Sequence, residues 1–143
     1  RSYMNIDFAK LVDSIGDAVV ISDAQGIIIY WNPSAERIFG FNKTEALGST
    51  MDFIVPERLR HRHNEGYEHS MQTGTTRYGD KLLTVPALHK SGKPLSIAFT
   101  VSMIFDENHK AVAVAAVIRD DTERFTEQRA LKKRIAELEA QLQ

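Results

Sequence analysis

The sequence holds no cysteine among its 143 residues. Disulfides, thiolate nucleophiles and Cys-based metal sites are excluded, and the chain suits a reducing, cytoplasmic setting. An excess of charge of one sign is also missing: 18 Lys and Arg stand against 19 Asp and Glu, a formal net charge of −1. This balance gives no electrostatic reason to bind nucleic acid or an anionic membrane surface. No apolar run approaches the roughly 20 residues that a spanning helix needs. No basic segment followed by an apolar stretch opens the chain as a signal peptide would. Internal repeats, low-complexity tracts, phosphate-cradling loops, nucleophile elbows and His-x-Glu metal motifs are likewise absent. Asp13, Asp17 and Asp23 flank one apolar segment without the spacing of a calcium loop.

What is present reads as one soluble globular domain. Hydrophobic residues make up 43% and charged residues 26%, ordinary values for a chain long enough to bury a core. Arg1-Ser2-Tyr3 ahead of Met4 reads as an expression scar, leaving Met4 as a natural start or an internal residue. Ile6, Phe8, Leu11 and Val12 recur at helical spacing, so a short N-terminal helix is expected within residues 4–16. Ala18 to Ser22 and Ile27 to Trp31 read as two strands joined by the turn Asp23-Ala24-Gln25-Gly26. Asn32-Pro33 starts a helix that Gly40 ends. Asn42 and Glu45 form the pattern of a capping box before a second short helix. Pro56-Glu57 opens a longer helix, about residues 57–73, stopped by Gly74.

Three more strands are expected. Lys81 to Leu88 contains Pro86, which implies an edge or a bulge. Lys93 to Ile104 alternates, with Leu95, Ile97, Phe99, Val101 and Met103 on one face and Ser96, Ala98, Thr100 and Ser102 on the other. The small-residue face suits a covering helix, either the N-terminal one or a partner subunit's. Ala111 to Arg119 is the last strand. Two strands, a helical crossover and three strands imply an α+β fold: a five-stranded antiparallel sheet with helices on one face. The core then spans residues 17–121, and a C-terminal helix spans 122–143.

That helix carries Leu131, Ile135, Leu138 and Leu142 at spacings of 4, 3 and 4. The seam places Leu131 and Leu138 at d and Ile135 and Leu142 at a of a parallel coiled coil. Gln128 takes the preceding a position, Lys132 and Glu139 take e, and Arg134 takes g. A homodimer through the terminal helices is the expected partner arrangement. The alternative is an amphipathic helix folded back on its own sheet.

The run Trp31-Asn32-x-x-Ala35-Glu36-Arg37-x-Phe39-Gly40 closely resembles the opening of PAS sensor domains, and the resemblance covers about residues 5–122. It implies the PAS fold and a sensory or dimerisation module of a signal-transduction protein, not an enzyme. Any histidine kinase, cyclase or transcription-factor activity would lie in an effector domain outside this chain. Asp120-Asp121-Thr122 resembles the Asp-Ile-Thr motif that joins such domains to effectors, with Asp121 where an aliphatic residue is usual. Trp31 and Asn32 are expected to be structural, and Glu36 and Arg37 to form surface ion pairs.

Pro56-Glu57-Arg58-Leu59-Arg60-His61-Arg62-His63 resembles the haem-binding oxygen-sensor branch. In that branch the last His is the axial iron ligand, so the matching residue here is His63. Leu59, Gly66, Tyr67 and Ser70 share its helix face. The ligand is expected between this helix and a sheet face formed by Leu83, Ile97, Phe99 and Val101. The polar Arg that typically holds bound oxygen in that branch is replaced by Leu83. If haem b is bound, carbon monoxide or nitric oxide is favoured over stable oxygenation. Apart from haem b, the expected ligand is a small apolar molecule of unknown identity, or none. The flavin–Cys adduct of light-sensing relatives is excluded by the missing Cys.

Overall fold

A computed structural model describes residues 4–76 and 81–143, so the three-residue scar read at 1–3 lies outside the described residues. The elements are α1 (Phe8–Ser14), β1 (Ala18–Asp23), β2 (Ile28–Trp31), α2 (Pro33–Phe39), α3 (Lys43–Ala46), a 3₁₀ turn (Met51–Ile54), α4 (Glu57–Thr73), β3 (Leu83–Leu88), β4 (Pro94–Phe105), β5 (Ala111–Asp120) and α5 (Thr122–Gln141). The strands form one antiparallel sheet in the order β2-β1-β5-β4-β3. The strand carrying Pro86 is therefore an edge strand, where a missing N–H costs no interior ladder bond.

Local chemistry sets the helix ends. Asn32 Oδ1 caps α2 by accepting from Ala35 N at 3.0 Å. Gly40 then ends α2 in the left-handed region at φ 81°. A Cβ there would lie 2.6 Å from the His89 ring, so close packing excludes a side chain as well. The capping box of α3 is complete: Glu45 N donates to Asn42 Oδ1 and Asn42 N to Glu45 Oε1.

Cross-strand register identifies the inner face. Val20, Trp31 and Ala116 are neighbours, as are Phe99 and Ile118, and Leu95 and Ala87. These side chains pack with Ala35, Phe39 and Ile54 into one core. Trp31 and Phe39 are fully buried, and their ring centroids lie 5.6 Å apart. Each such side chain contributes roughly 1.5–3 kcal/mol by leaving water. The Trp31 indole N–H is satisfied by Phe41 O at 2.9 Å.

The outer face is covered only in part. Ser96 and Ala98 are buried where the start of α5 meets β4, whereas Ser102, Ile104 and Val117 lie open. The first half of the small-residue face of β4 is thus covered by the start of α5, and not by the N-terminal helix that was one of the two expected covers. α1 is held beside β2, with the Tyr30 hydroxyl 2.7 Å from Asp13 Oδ1 and 3.3 Å from Ala9 O. It leaves Phe8 and Leu11 exposed.

Glu36 and Arg37 form none of the expected ion pairs among the described residues. Glu36 Oε2 instead accepts from Lys43 N, and Arg37 Nη2 donates to Gly16 O and Ser34 Oγ. Both side chains serve the backbone and a hydroxyl at chain junctions. The ion pair in this region is Lys90 with Glu45, which joins the β3–β4 turn to α3.

Candidate ligand site and output helix

α4 turns one face toward the sheet. Leu59, His63 and Tyr67 follow at four-residue spacing and are each half-buried, with the His63 and Tyr67 rings 6.5 Å apart. The start of the helix is anchored by Arg60 Nε, which donates to Asp52 O and Val55 O at 3.0 Å each. Further along, the Tyr67 hydroxyl donates to Asp23 O at the end of β1. Gly26, at φ 83°, lets the β1–β2 turn approach that ring: a Cβ there would lie 3.7 Å from it. Burial pushes the Tyr67 phenol up to about 12. The Asp23 carboxylate adds to the rise and the adjacent Ser22 hydroxyl opposes it.

His63 and Tyr67 open onto a cavity of 760 Å³ between α4, the β1–β2 turn and the β4–β5 turn. Thr50, Asn64, Gln72 and Lys110 also line it, together with Met51, Met71 and Ala111, so its wall mixes polar and apolar groups. Ser22 lines it too; it is 2% exposed and its Oγ lacks a hydrogen bond of ordinary geometry. His63 Nδ1 lies 3.4 Å from Asn64 Oδ1, and Nε2 has no protein partner among the described residues.

The sequence-predicted ligand residues fall into two groups. His63 and Tyr67 share the cavity. Leu59, Leu83, Ile97, Phe99 and Val101 do not line it. Leu83 is the register partner of Phe99, and Val101 that of Ala116. Ile97 is buried in the core, with Phe99 and Val101 packed against it. Gly66 borders open space, since nothing lies within 4 Å of a Cβ built there. Reasoning from sequence missed Ser22 and Lys110. The only signal for them was their position in or beside hairpin turns.

The start of α5 is latched to β4. Asp121 N donates to Ser96 O at 2.8 Å, and Ser96 N donates to Thr122 Oγ1 at 3.0 Å. Thr122 N is satisfied by Asp120 Oδ1 at 3.0 Å, while the N-cap residue Asp121 makes no side-chain cap bond. Arg124 Nε donates to Asp121 Oδ1. Beyond this first turn no residue of α5 is buried. Leu131, Ile135, Leu138 and Leu142 are 62%, 53%, 43% and 87% exposed. The alternative of a helix folded back on its sheet is thereby overturned.

Comparison with known proteins gives the same answer as the geometry. The model of the PAS fold matches residues 6–120. An uncharacterized protein of Azorhizobium caulinodans is 31% identical over 127 residues, covering 86% of this chain and 17% of its own length. The oxygen sensor protein DosP of Escherichia coli is 27% identical over 115 residues, covering 80% of this chain and 14% of its own length. The crystal structure of a PAS domain from Colwellia psychrerythraea superposes with a TM-score of 0.70 at 27% identity, covering 81% of this chain and 95% of that one. The chain thus spans under a fifth of the curated relatives it matches. The sheet order, the helical crossover and these likenesses agree: the chain belongs to the PAS family.

Proposed function

We propose that this chain is the sensory module of a larger signalling protein, and that it signals by altering a homodimer formed through α5. The exposed seam of α5 carries this reading. Four large apolar side chains at heptad positions are left in water by the single chain, and a second copy would bury them as a and d residues. Residues 17–121 act as the sensing core, residues 4–16 as a cap and residues 122–143 as the output. The latch at Ser96 is the link between sheet and helix: a change in β4 moves the backbone groups that hold Asp121 and Thr122. Two arrangements of such an element, differing by a few kcal/mol, suffice for a switch. Light scattering tests the reading. The wild type should run at twice the 16.1 kDa chain mass, and Leu131→Glu with Leu138→Glu at the chain mass. A monomeric wild type with α5 intact contradicts it.

A second reading assigns His63 as the axial ligand of haem b. It is favoured by an imidazole Nε2 that has no partner among the described residues and belongs to a ring lining a cavity, and by similarity to a relative named as an oxygen sensor. A neutral imidazole is a competent iron ligand, and the bound group would supply gas binding. The remaining residues fit it less well, because the apolar set on β4 does not border the same cavity. Hemin titration separates the cases. A Soret shift lost in His63→Ala supports haem, and an unchanged spectrum on adding hemin rules it out.

A further inference from the structure

At the far end of the sheet from His63, a second cavity of 610 Å³ lies between α2, the β3–β4 turn and the ends of β1 and β5. We infer that it is a binding site for a small organic monoanion, a carboxylate on a short apolar stem.

Arg37 is the central cation of this cavity. Its guanidinium is held through Nη2 alone, by Gly16 O at 3.1 Å and Ser34 Oγ at 3.0 Å. Ser34 is itself 3% exposed and fixed by donating to Ile15 O at 2.6 Å. Neutral acceptors orient the fork without neutralising it, and the other N–H groups have no partner among the described residues. An oriented, uncompensated guanidinium is the geometry that recognises a carboxylate. Lys93 lines the same cavity, and its ammonium forms no ion pair among the described residues. Arg119 is the third cation and is shared with Asp17, its Nε 3.2 Å from Asp17 Oδ1.

Charge and surface then select the ligand. Arg37, Lys93 and Arg119 share the lining with Asp17 and Asp120, so the always-charged cations outnumber the carboxylates by one. One negative charge completes the balance, whereas a phosphate dianion overshoots. The floor is Ile38 and the buried Leu95, which an apolar stem covers. His89 also lines the cavity, its ring held by Nδ1 accepting from Ser91 N at 3.0 Å. The volume lies within the range of small-molecule sites. The site also touches the output, because Asp120 holds Thr122 N at the start of α5.

Amide chemical-shift titrations with sodium hexanoate, hexanol and inorganic phosphate test this. Hexanoate should give saturable shifts at Ile38, Lys93 and Leu95 and leave Tyr67 still, with hexanol and phosphate much weaker. Arg37→Gln and Lys93→Gln, both at exposed side chains, should each weaken hexanoate on the order of tenfold. Lys110→Gln, which lines the other cavity, should not. The assignment is overturned if hexanoate gives no saturable shift there or the Arg37 and Lys93 variants bind as well as wild type. Phosphate or hexanol binding as tightly would also overturn it.

Discussion

Replacing Asn32 with Ala should remove a large fraction of the stability, although Asn32 touches no candidate ligand. Asn32 is fully buried and uses its whole hydrogen-bonding capacity. Oδ1 accepts from Val19 N at 2.8 Å and from Ala35 N at 3.0 Å. Nδ2 donates to Val12 O at 2.9 Å and Asp17 O at 3.1 Å. One amide thus ties α1, β1 and α2 together. Losing the cap at Ala35 costs about 1 kcal/mol. Leaving the buried Val19 N–H unpaired costs about 1–3 kcal/mol more. The two freed carbonyls reach water more easily and add little. The expected loss is about 3 kcal/mol, against a total of about 5–15 kcal/mol for a domain. Trp31 is the only Trp in the chain and is fully buried, so its fluorescence reports unfolding. With a urea slope of about 2 kcal/mol per molar, the midpoint should fall by about 1.5 M at unchanged slope. Asn32→Asp keeps the acceptors but turns a buried carboxyl toward the carbonyls of Val12 and Asp17, so it should cost at least as much as Asn32→Ala. A shift of Asn32→Ala below about 0.3 M would refute the reasoning and show that water replaces the amide.

Other outcomes follow from the same structure. Gly66→Ala should stabilise by about 0.5–1 kcal/mol, because it lies within α4 with open space around a Cβ; a loss in thermal melting contradicts this. Gly40→Ala should destabilise by about 2 kcal/mol or more, since it combines φ 81° with a 2.6 Å approach to His89. An unchanged melting temperature would show that the α2 end can relax. The Tyr67 phenol is raised from 10.0 to about 12, so the fold favours its neutral form. Its contribution is complete below pH 10 and is lost as pH rises toward 12. Ultraviolet titration should show a late phenolate step that Tyr67→Phe removes; four tyrosines titrating together would contradict the burial.

Much of the fold was legible because it rests on local chemistry. Asn32-Pro33, the Asn42–Glu45 box and Gly74 each act within one helical turn, and the elements begin or end at them. Alternation in β4 named the inner face, and Pro86 left an edge or a bulge, of which the edge is observed. The 3₁₀ turn at Met51–Ile54 was not legible, since four residues carry no period. The wider role of Asn32 was hidden too. A capping residue announces its bond to Ala35, but its bonds to Val12, Asp17 and Val19 depend on where α1 and β1 are placed. The candidate site was half legible. Four-residue spacing put His63 and Tyr67 on one face of α4. Their neighbours across the cavity come from two hairpin turns instead of β4, because the middle of β4 is occupied by core packing.

The proposed output depends most heavily on α5 pairing in parallel with a second copy. The absence of native Cys makes this directly measurable, because any substituted thiol is the only one in the chain. A disulfide needs Cα atoms roughly 4.4–6.8 Å apart, which a parallel coil provides at a and d but not on its outer side. Single variants Leu131→Cys, Leu138→Cys, Lys133→Cys and Ala140→Cys should therefore be oxidised in dilute solution and resolved by denaturing electrophoresis. The predicted result is efficient cross-linking at Leu131 and Leu138 and little at Lys133 and Ala140. Equal cross-linking at all four positions, or none at Leu131 and Leu138, would contradict the proposed output helix.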